Sequence, residues 1–580
     1  MKVKPIRRAP SDGEDSSPPP NASSILIFPT ALSTPLQGSL FEIAPSSHVA
    51  DLIDFAANLV NYDPKLLEAI TDDLDAHALA KKEQRLDDKR WRDSQTEPLM
   101  EVPLNKPGPL KLETGRPRIA PLCVLAFLLL RGWFGRGYKD GHFRTLTTES
   151  LSLRTFLENM GQSLPGAGTL EENLNAVSNT TRHAIHRAQL ALALALGEEL
   201  DDFEIIRGDS TAVSSASAYP TDSGTIARLL LRMCSRLEKL EKLGLKQSPA
   251  NELATWKSEI EQLKFRIGTL TSSSAKQAEE AAEREAGAVV QVVDNQRNKE
   301  KKESAKQKLQ RELYERIYAL GEEILPMLEE HVILATQQIR NEACGPKEQS
   351  QRERFIDEFK ADLESTRLGI VQSRRRVCEG KKPSAAGKMP LSISDQSASI
   401  IMKGGWERTF GYRPQLSFSK SNLVTALIVP EGNAADQAQY ISLVEVTIEN
   451  TGVIPKVVSA DDGYTGAEQM SECLALGVKI VSFSGARGKA LLGEEKWNSE
   501  PYQEARRERN GAESGIGVLK AAERFGQLAT CGIENVRGEL LEKVISYNAI
   551  KIVNLRKQKY EEENGKRWNA GLPGGRQEVS

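Results

Sequence analysis

The sequence predicts an α/β protein with a mixed sheet, interrupted by a long helical segment and preceded by an all-helical region. Three observations predict it. Short apolar, β-branched runs occur at 204–213 (EIIRGDSTAV), 412–419, 423–430, 455–460 and 478–484, and helix-length segments separate the later ones. Between the first and second runs, apolar residues step by four and three for much of residues 224–390. Upstream of every strand, residues 50–200 carry only helical periodicity. The resulting order, β, gap, β-β-α-β-α-β-α, fits a mixed sheet with helices on its faces.

Taken in order, residues 1–48 are rich in Pro and Ser (SSPPPNASS, TALSTPLQGS) and are expected to be a disordered lead. Residues 49–200 contain DLIDFAANLV, PKLLEAITDDL, APLCVLAFLLL and RHAIHRAQLALALALGEEL, each of helix length with an apolar face. GRPRIAP and LRGWFGRGYKDGHFR lie between them and set arginines beside aromatics. In SLPGAGTLEENLNAVS, a Pro-Gly loop precedes Thr169, the expected helix N-cap. Residues 201–223 and 391–555 are expected to form the sheet domain.

In the intervening 224–390, Ile226, Leu230, Met233, Leu237 and Leu240 set the heptad. Trp256, Ile260, Leu263, Ile267 and Leu270 repeat it, and Leu309, Leu313, Ile317, Leu320 and Ile324 nearly do. A coiled-coil-like hairpin or small bundle is expected, followed by a basic connector. Residues 556–580 read as a tail.

Composition narrows the class. The net charge of −3 gives no global sign of nucleic-acid binding, so such a role has to rest on local charge. The six cysteines are scattered with no CxxC, which speaks for a reducing compartment and against a zinc finger or disulfide framework. No apolar run reaches 18 residues, so a soluble intracellular protein is expected.

Three carboxylates stand out. Asp209 sits within the first strand, Asp461 directly follows the fourth in SADDGYTG, and Glu513 lies on a late helix in RRERNGAESGIGVLK. If the first and fourth strands are neighbours, Asp209 and Asp461 meet, and the helix beside them adds Glu513. Converging carboxylates repel unless cations lie between them, and oxygen ligands suit Mg²⁺ or Mn²⁺. Two such ions can activate a water or a 3′-hydroxyl and stabilise the leaving oxygen of an in-line phosphoryl transfer. Arg509, Glu513 and Lys520 fall within roughly 40° of one another around the helix, so two cations flank the acid. Gly511, Gly515 and Gly517 weaken that helix, and close approach of a nucleic-acid backbone is the expected reason for them.

These motifs resemble insertion-sequence DDE transposases, most closely the ISNCY-like group. The matching stretches are GDSTAV with SAYPTDS, FGYRPQLS with LVTALIVPEGNAADQ, SADDGYTG, and RNGAESGIGVLK; ETGRPRIAP and LSLRTFLENMGQSLPGAGTLEENLNAVS resemble the helical region ahead of the core. The likeness spans roughly residues 110–222 and 391–556. It implies a ribonuclease-H-like catalytic core in which Asp209, Asp461 and Glu513 are the catalytic acids and the ligands of two Mg²⁺ or Mn²⁺ ions. Asp462 fills the variable place beside Asp461 and is the alternative second acid. Arg509 and Lys520 match the family's Arg-Glu-Lys signature, but Arg506 stands where its tyrosine is expected, which bears on how the DNA end is gripped.

The implied activity is that of a DNA transposase. It binds the terminal inverted repeats of its own element, cleaves to expose 3′-hydroxyl ends and joins them to target DNA. The implied setting is a bacterial cytoplasm at the nucleoid, with a homodimer or larger assembly on the DNA ends. The alternative, from another class, is a catalytically inactive DNA-binding or assembly protein of transposase descent; the retained acids and Arg/Lys face weigh against it.

Local charge outlines a DNA track despite the acidic total. Between residues 371 and 420, ten basic residues stand against three acidic ones, beginning with Arg374, Arg375 and Arg376. Trp406 and Trp497 are candidates for stacking on an unpaired base, core packing being the alternative. The aromatic arginine loops of 49–200 form a second basic patch. Asp222, in YPTDS, is expected to act at a helix N-terminus.

Overall fold

The computed structural model describes residues 46–95, 118–135, 150–197, 200–217, 221–245, 250–271, 292–342, 344–381, 392, 394–403, 407–522 and 525–564. The chain opens with α1 (Ser46–Tyr62), α2 (Lys65–Gln95), α3 (Pro121–Phe134), α4 (Leu151–Asn159), α5 (Ala167–Ala176) and α6 (Asn179–Ala195). In α3, Cys123 through Leu130 are all buried, as an apolar surface on every side demands. Ser178 caps α6, its hydroxyl accepting from the Thr181 amide at 3.1 Å. Thr169, by contrast, lies inside α5; the extended backbone of Gly166 after Pro165 already starts that helix one turn earlier.

Two sheets follow. One has five strands in the order β6 (Val424–Ile428), β5 (Gln415–Ser419), β1 (Ile205–Ser210), β7 (Val457–Ala460), β8 (Ile480–Phe483). β1 runs antiparallel to β5 and parallel to β7, and β7 runs parallel to β8. The other sheet has three strands, β2 (Val213–Ser214), β4 (Glu407–Tyr412) and β3 (Ser399–Lys403), in that order. The run expected as one strand at 412–419 is broken at Arg413–Pro414. Proline has no N–H to give a ladder, so β4 ends at Tyr412 and β5 begins in the other sheet.

Between β2 and β3 the chain forms α7 (Asp222–Lys242), α8 (Ala250–Thr271), α9 (Val292–Asn341) and α10 (Pro346–Val377). Their heptad residues make an apolar cluster of their own, centred on Leu230, Leu237, Ile260, Ile317 and Phe359. The expected bundle is present as four long helices. Leu309 is the departure, 39% exposed.

The remaining helices are α11 (Asp436–Thr451), α12 (Ala467–Ala475), α13 (Ala486–Asn498), α14 (Glu500–Ala522) and α15 (Ile533–Asn564). α15 joins the two ends of the chain: its apolar residues share one continuous cluster with α1–α6 and with Leu416, Phe418 and Val424 of the sheet. Buried Glu542 of α15 accepts from Arg131 of α3 and Arg182 of α6. Asn548 of α15 satisfies the outer edge of β6, accepting from the Val424 amide and donating to its carbonyl, each at 2.9 Å. Among the described residues no helix is long and apolar enough to cross a membrane.

Alternation along β1 sets the position of the site. Ile206 packs into the apolar cluster of α11 and α12 with Val458 and Ala460 of β7. The alternate residues of β1, Arg207 and Asp209, turn to the opposite face, where both meet α14.

Candidate active site

In the parallel pairing of β1 and β7, Gly208 lies opposite Ala460. The next residue in each case is an aspartate, the last but one of β1 and the first beyond β7, so Asp209 and Asp461 come together at the carboxyl ends of neighbouring parallel strands. Open α/β sheets place their ligand sites at such ends. α14 crosses this edge and brings Arg509 and Glu513 with it. Arg509 donates from one nitrogen to Asp209 Oδ2 at 3.3 Å and from the other to Glu513 Oε1 at 2.6 Å.

The electrostatics match the geometry. Asp209 is buried, and its carboxyl is pushed up to about 6, first by desolvation. Arg509 and the Ser210 amide pull it down; Asp461 and Glu513 push it up. The three sequence-predicted acids therefore feel one another across the edge. Glu513 is the outermost, 64% exposed, whereas Asp209 is 11% exposed.

All the donors are carboxylate oxygens, the set that hard divalent cations prefer. Among the described residues, however, no three acidic, imidazole or thiol side chains are drawn tightly enough to make a ready metal centre. Arg509 is the reason at the Asp209–Glu513 side, since its guanidinium spans the two. The donor chemistry thus suits divalent cations, while a cationic side chain bridges two of the three acids.

Asp461 and Asp462 have distinct tasks. Asp461 turns to the edge and accepts from the Gly463 amide at 2.7 Å, fixing the 3₁₀ turn Asp462–Tyr464. Asp462 points away from it, toward the first turn of α13, where Gly488 and Arg487 donate their amides at 2.9 and 3.3 Å. Burial raises the Asp462 carboxyl, but those amides, the Thr465 hydroxyl and Arg487 more than offset this and hold it below its ordinary range. Asp462 anchors α13, whereas Asp461 is the one of the pair whose charge acts on Asp209.

The glycines of α14 answer to the protein itself. A Cβ on Gly511 would stand 1.6 Å from Arg207 Nη1, and one on Gly515 2.9 Å from the Phe418 ring. Arg207 is buried and donates to the carbonyls of Ser419 and Lys420 and to Asn422. The expectation of a nucleic-acid backbone against Gly511 and Gly515 is therefore corrected: strand side chains fill both places. Gly517 meets nothing within 4 Å.

The remaining predicted residues are dispersed. Arg506 lies two turns before Glu513, its guanidinium stacked 3.8 Å over the Trp497 ring and donating to the Trp497 carbonyl at 2.6 Å. Lys520 is half-buried near the end of α14. Arg374, Arg375 and Arg376 end α10. Arg374 pairs with Glu315 and Glu322 and lies over Tyr318, and Arg376 pairs with Asp222. These two arginines thus stitch the bundle together. Asp222 is the first residue of α7, capped by Thr221, whose hydroxyl accepts from the Gly224 amide. Trp406, residues 136–149 of the aromatic arginine loop and residues 382–390 of the basic connector lie outside the described residues.

Sequence reasoning counted Arg413 only within the basic stretch 371–420 and missed the group that it forms at the edge. Arg413 donates to Ser210 Oγ at 3.1 Å and pairs with Asp436, which also accepts from Gln415 at 2.9 Å. Tyr464 donates to Gln415. The Pro after Arg413, which ends the strand there, was the available signal. Searches of family models, curated proteins and solved structures matched nothing to this chain.

Proposed function

We propose that this protein is a DDE-type DNA transposase with a ribonuclease-H-like core, acting on the ends of its own element by metal-dependent phosphoryl transfer. The observation that carries the reading is the edge at which two neighbouring parallel strands end in Asp209 and Asp461 while α14 brings Glu513 beside Arg509. Three acids spread over some 300 residues of sequence have little structural reason to gather on one rim. They have a chemical one if the rim holds divalent cations against a phosphodiester.

Each residue then has a task. Asp209 and Asp461 project from rigid strand ends, so their carboxylates are fixed before substrate arrives. Glu513 rides on α14, which Arg207 and Phe418 seat against the sheet through Gly511 and Gly515. Arg509 offsets the charge of Asp209 and Glu513 and is placed to turn toward a phosphate. Arg506 is the next cation on the α14 face, with its guanidinium plane held by Trp497. Bound Mg²⁺ or Mn²⁺ supplies activation of the attacking oxygen and stabilisation of the leaving one. With positioning and charge carrying the chemistry, the chain needs no covalent intermediate.

The test is cleavage of labelled duplexes carrying the stretches that flank this gene, with Mg²⁺ or Mn²⁺ against EDTA. Metal-dependent nicking at the ends supports the reading. Binding of those ends without nicking in either metal replaces it with the non-catalytic DNA-binding protein.

A further inference from the structure

We infer that Arg413 is a phosphate-binding residue of the catalytic edge, held in place by the buried carboxylate of Asp436. The inference rests on the DNA-processing reading above and extends it to residues outside the three acids and the α14 cations.

The geometry begins at Asp436, the first residue of α11, which is 6% exposed and held from two sides. Arg413 Nη2 reaches Oδ2 at 2.5 Å, and Gln415 Nε2 reaches Oδ1 at 2.9 Å. Arg413 Nε donates to Ser210 Oγ at 3.1 Å, and the Ser210 amide in turn donates to Asp209 Oδ1 at 2.7 Å. Ser210 thus links the guanidinium to the first acid, its hydroxyl toward Arg413 and its amide toward Asp209. On the other side, a Cβ on Gly463 would lie 2.8 Å from Asp461 Oδ1 and 3.0 Å from Asp436 Oδ2. Asp436 and Asp461 therefore converge over the bare Cα of Gly463, and any larger residue there would separate them. Tyr464 reports the same gathering: after burial, Asp436, Asp209 and Asp461 are the charges that push its hydroxyl up.

A purely structural ion pair would be sealed. This one is open on one side. The Arg413 side chain is 28% exposed, and its Nη1 is bound by no group among the described residues. Two of its nitrogens are fixed, the fork is held rigid, and the remaining N–H groups face solvent beside the two aspartates. An anchored guanidinium loses little freedom on binding and matches phosphate oxygens in shape. The ligand chemistry is that of a DNA phosphodiester entering the edge from the side of β5, across the acids from Arg509.

The experiment compares full-length wild type, D436N and the double variant D436N/R413Q. Neutralising both partners together leaves no buried charge unpaired, so the double variant keeps its fold, which circular dichroism and thermal melting check. Binding to a duplex carrying the gene-flanking ends is measured in EDTA across a potassium chloride series. Wild type and D436N are expected to share one slope of log affinity against log salt, and the double variant to be shallower by about 0.9, one phosphate contact. Equal slopes for D436N and the double variant would overturn the assignment while leaving the reading of the site intact. A wild type whose binding shows no salt dependence would remove the DNA reading itself, and this inference with it.

Discussion

Asp209 and Asp461 occupy the first position beyond the Gly208–Ala460 pair, where β1 and β7 run parallel. Two residues some 250 positions apart are thereby brought to one rim by the pairing of their strands. The same alternation that sends Ile206 into the core sends Arg207 and Asp209 toward α14. Side-chain direction on one short strand thus seats the helix and supplies the acid.

Asp461 and Asp462 are separable by substitution. Asp461→Asn keeps an acceptor for the Gly463 amide, so the melting temperature is expected to hold while DNA cleavage is lost. Asp462→Ala removes the acceptor of two α13 amides and is expected to cost about 1 kcal/mol with cleavage retained. Thermal melts and cleavage rates on the same preparations check both; loss of cleavage in Asp462→Ala at unchanged stability would reverse the two roles.

The α14 glycines give opposite signs. Gly511→Ala drives a methyl onto Arg207, which cannot swing away without leaving three acceptors, so a loss on the order of 1–3 kcal/mol is expected. Gly517→Ala meets open space and is expected to gain about 1 kcal/mol from helix propensity. Denaturant titration of the two variants reads both.

Glu542 holds two buried guanidiniums, those of Arg131 and Arg182, and so fastens α15 to α3 and α6. Glu542→Ala leaves both uncompensated, with an expected cost of about 3–5 kcal/mol. Hydrogen exchange should show α3 and α6 losing protection together with α15. Protection lost in α15 alone would count against the fastening.

Asp54 on α1 gives a pH dependence away from the rim. Burial, then Asp51, push its carboxyl from 3.8 to about 7, against the pull of Lys557. The folded chain therefore holds a proton that the unfolded chain releases. This stabilisation is complete below about 4 and disappears as pH rises through about 7. Asp54→Asn should change the melting temperature least at pH 4 and raise it most at pH 8. A variant no more stable than wild type at pH 8 would refute this assignment.

Much of the sheet was legible because β1, β5, β6, β7 and β8 are apolar runs with the period of a strand. The hairpin of β3 and β4 was not, because Lys403, Glu407 and Arg408 dilute its pattern. α13 was missed for the same reason: ARGKALLGEEKWN buries little beyond Gly488 and Leu492. That Asp209, Asp461 and Glu513 come near one another was legible from their places on a strand, after a strand and on a late helix. The Arg413–Asp436 pair was not, since Arg413 stood out only as one of ten basic residues in 371–420 and the pairing exists only once the chain around β5 and α11 is packed. The α14 glycines were misread because Arg207, which needs the space, lies some 300 residues upstream.

The measurement that bears most directly on the account is strand joining. Labelled duplexes ending in the gene-flanking stretches are incubated with a target duplex in Mg²⁺, using wild type, Asp209→Asn, Asp461→Asn and Glu513→Gln. Wild type alone is predicted to give joined product, with each variant still binding the ends and yielding none. Joining that persists in any one of the three variants would contradict the three-acid rim as the seat of the chemistry.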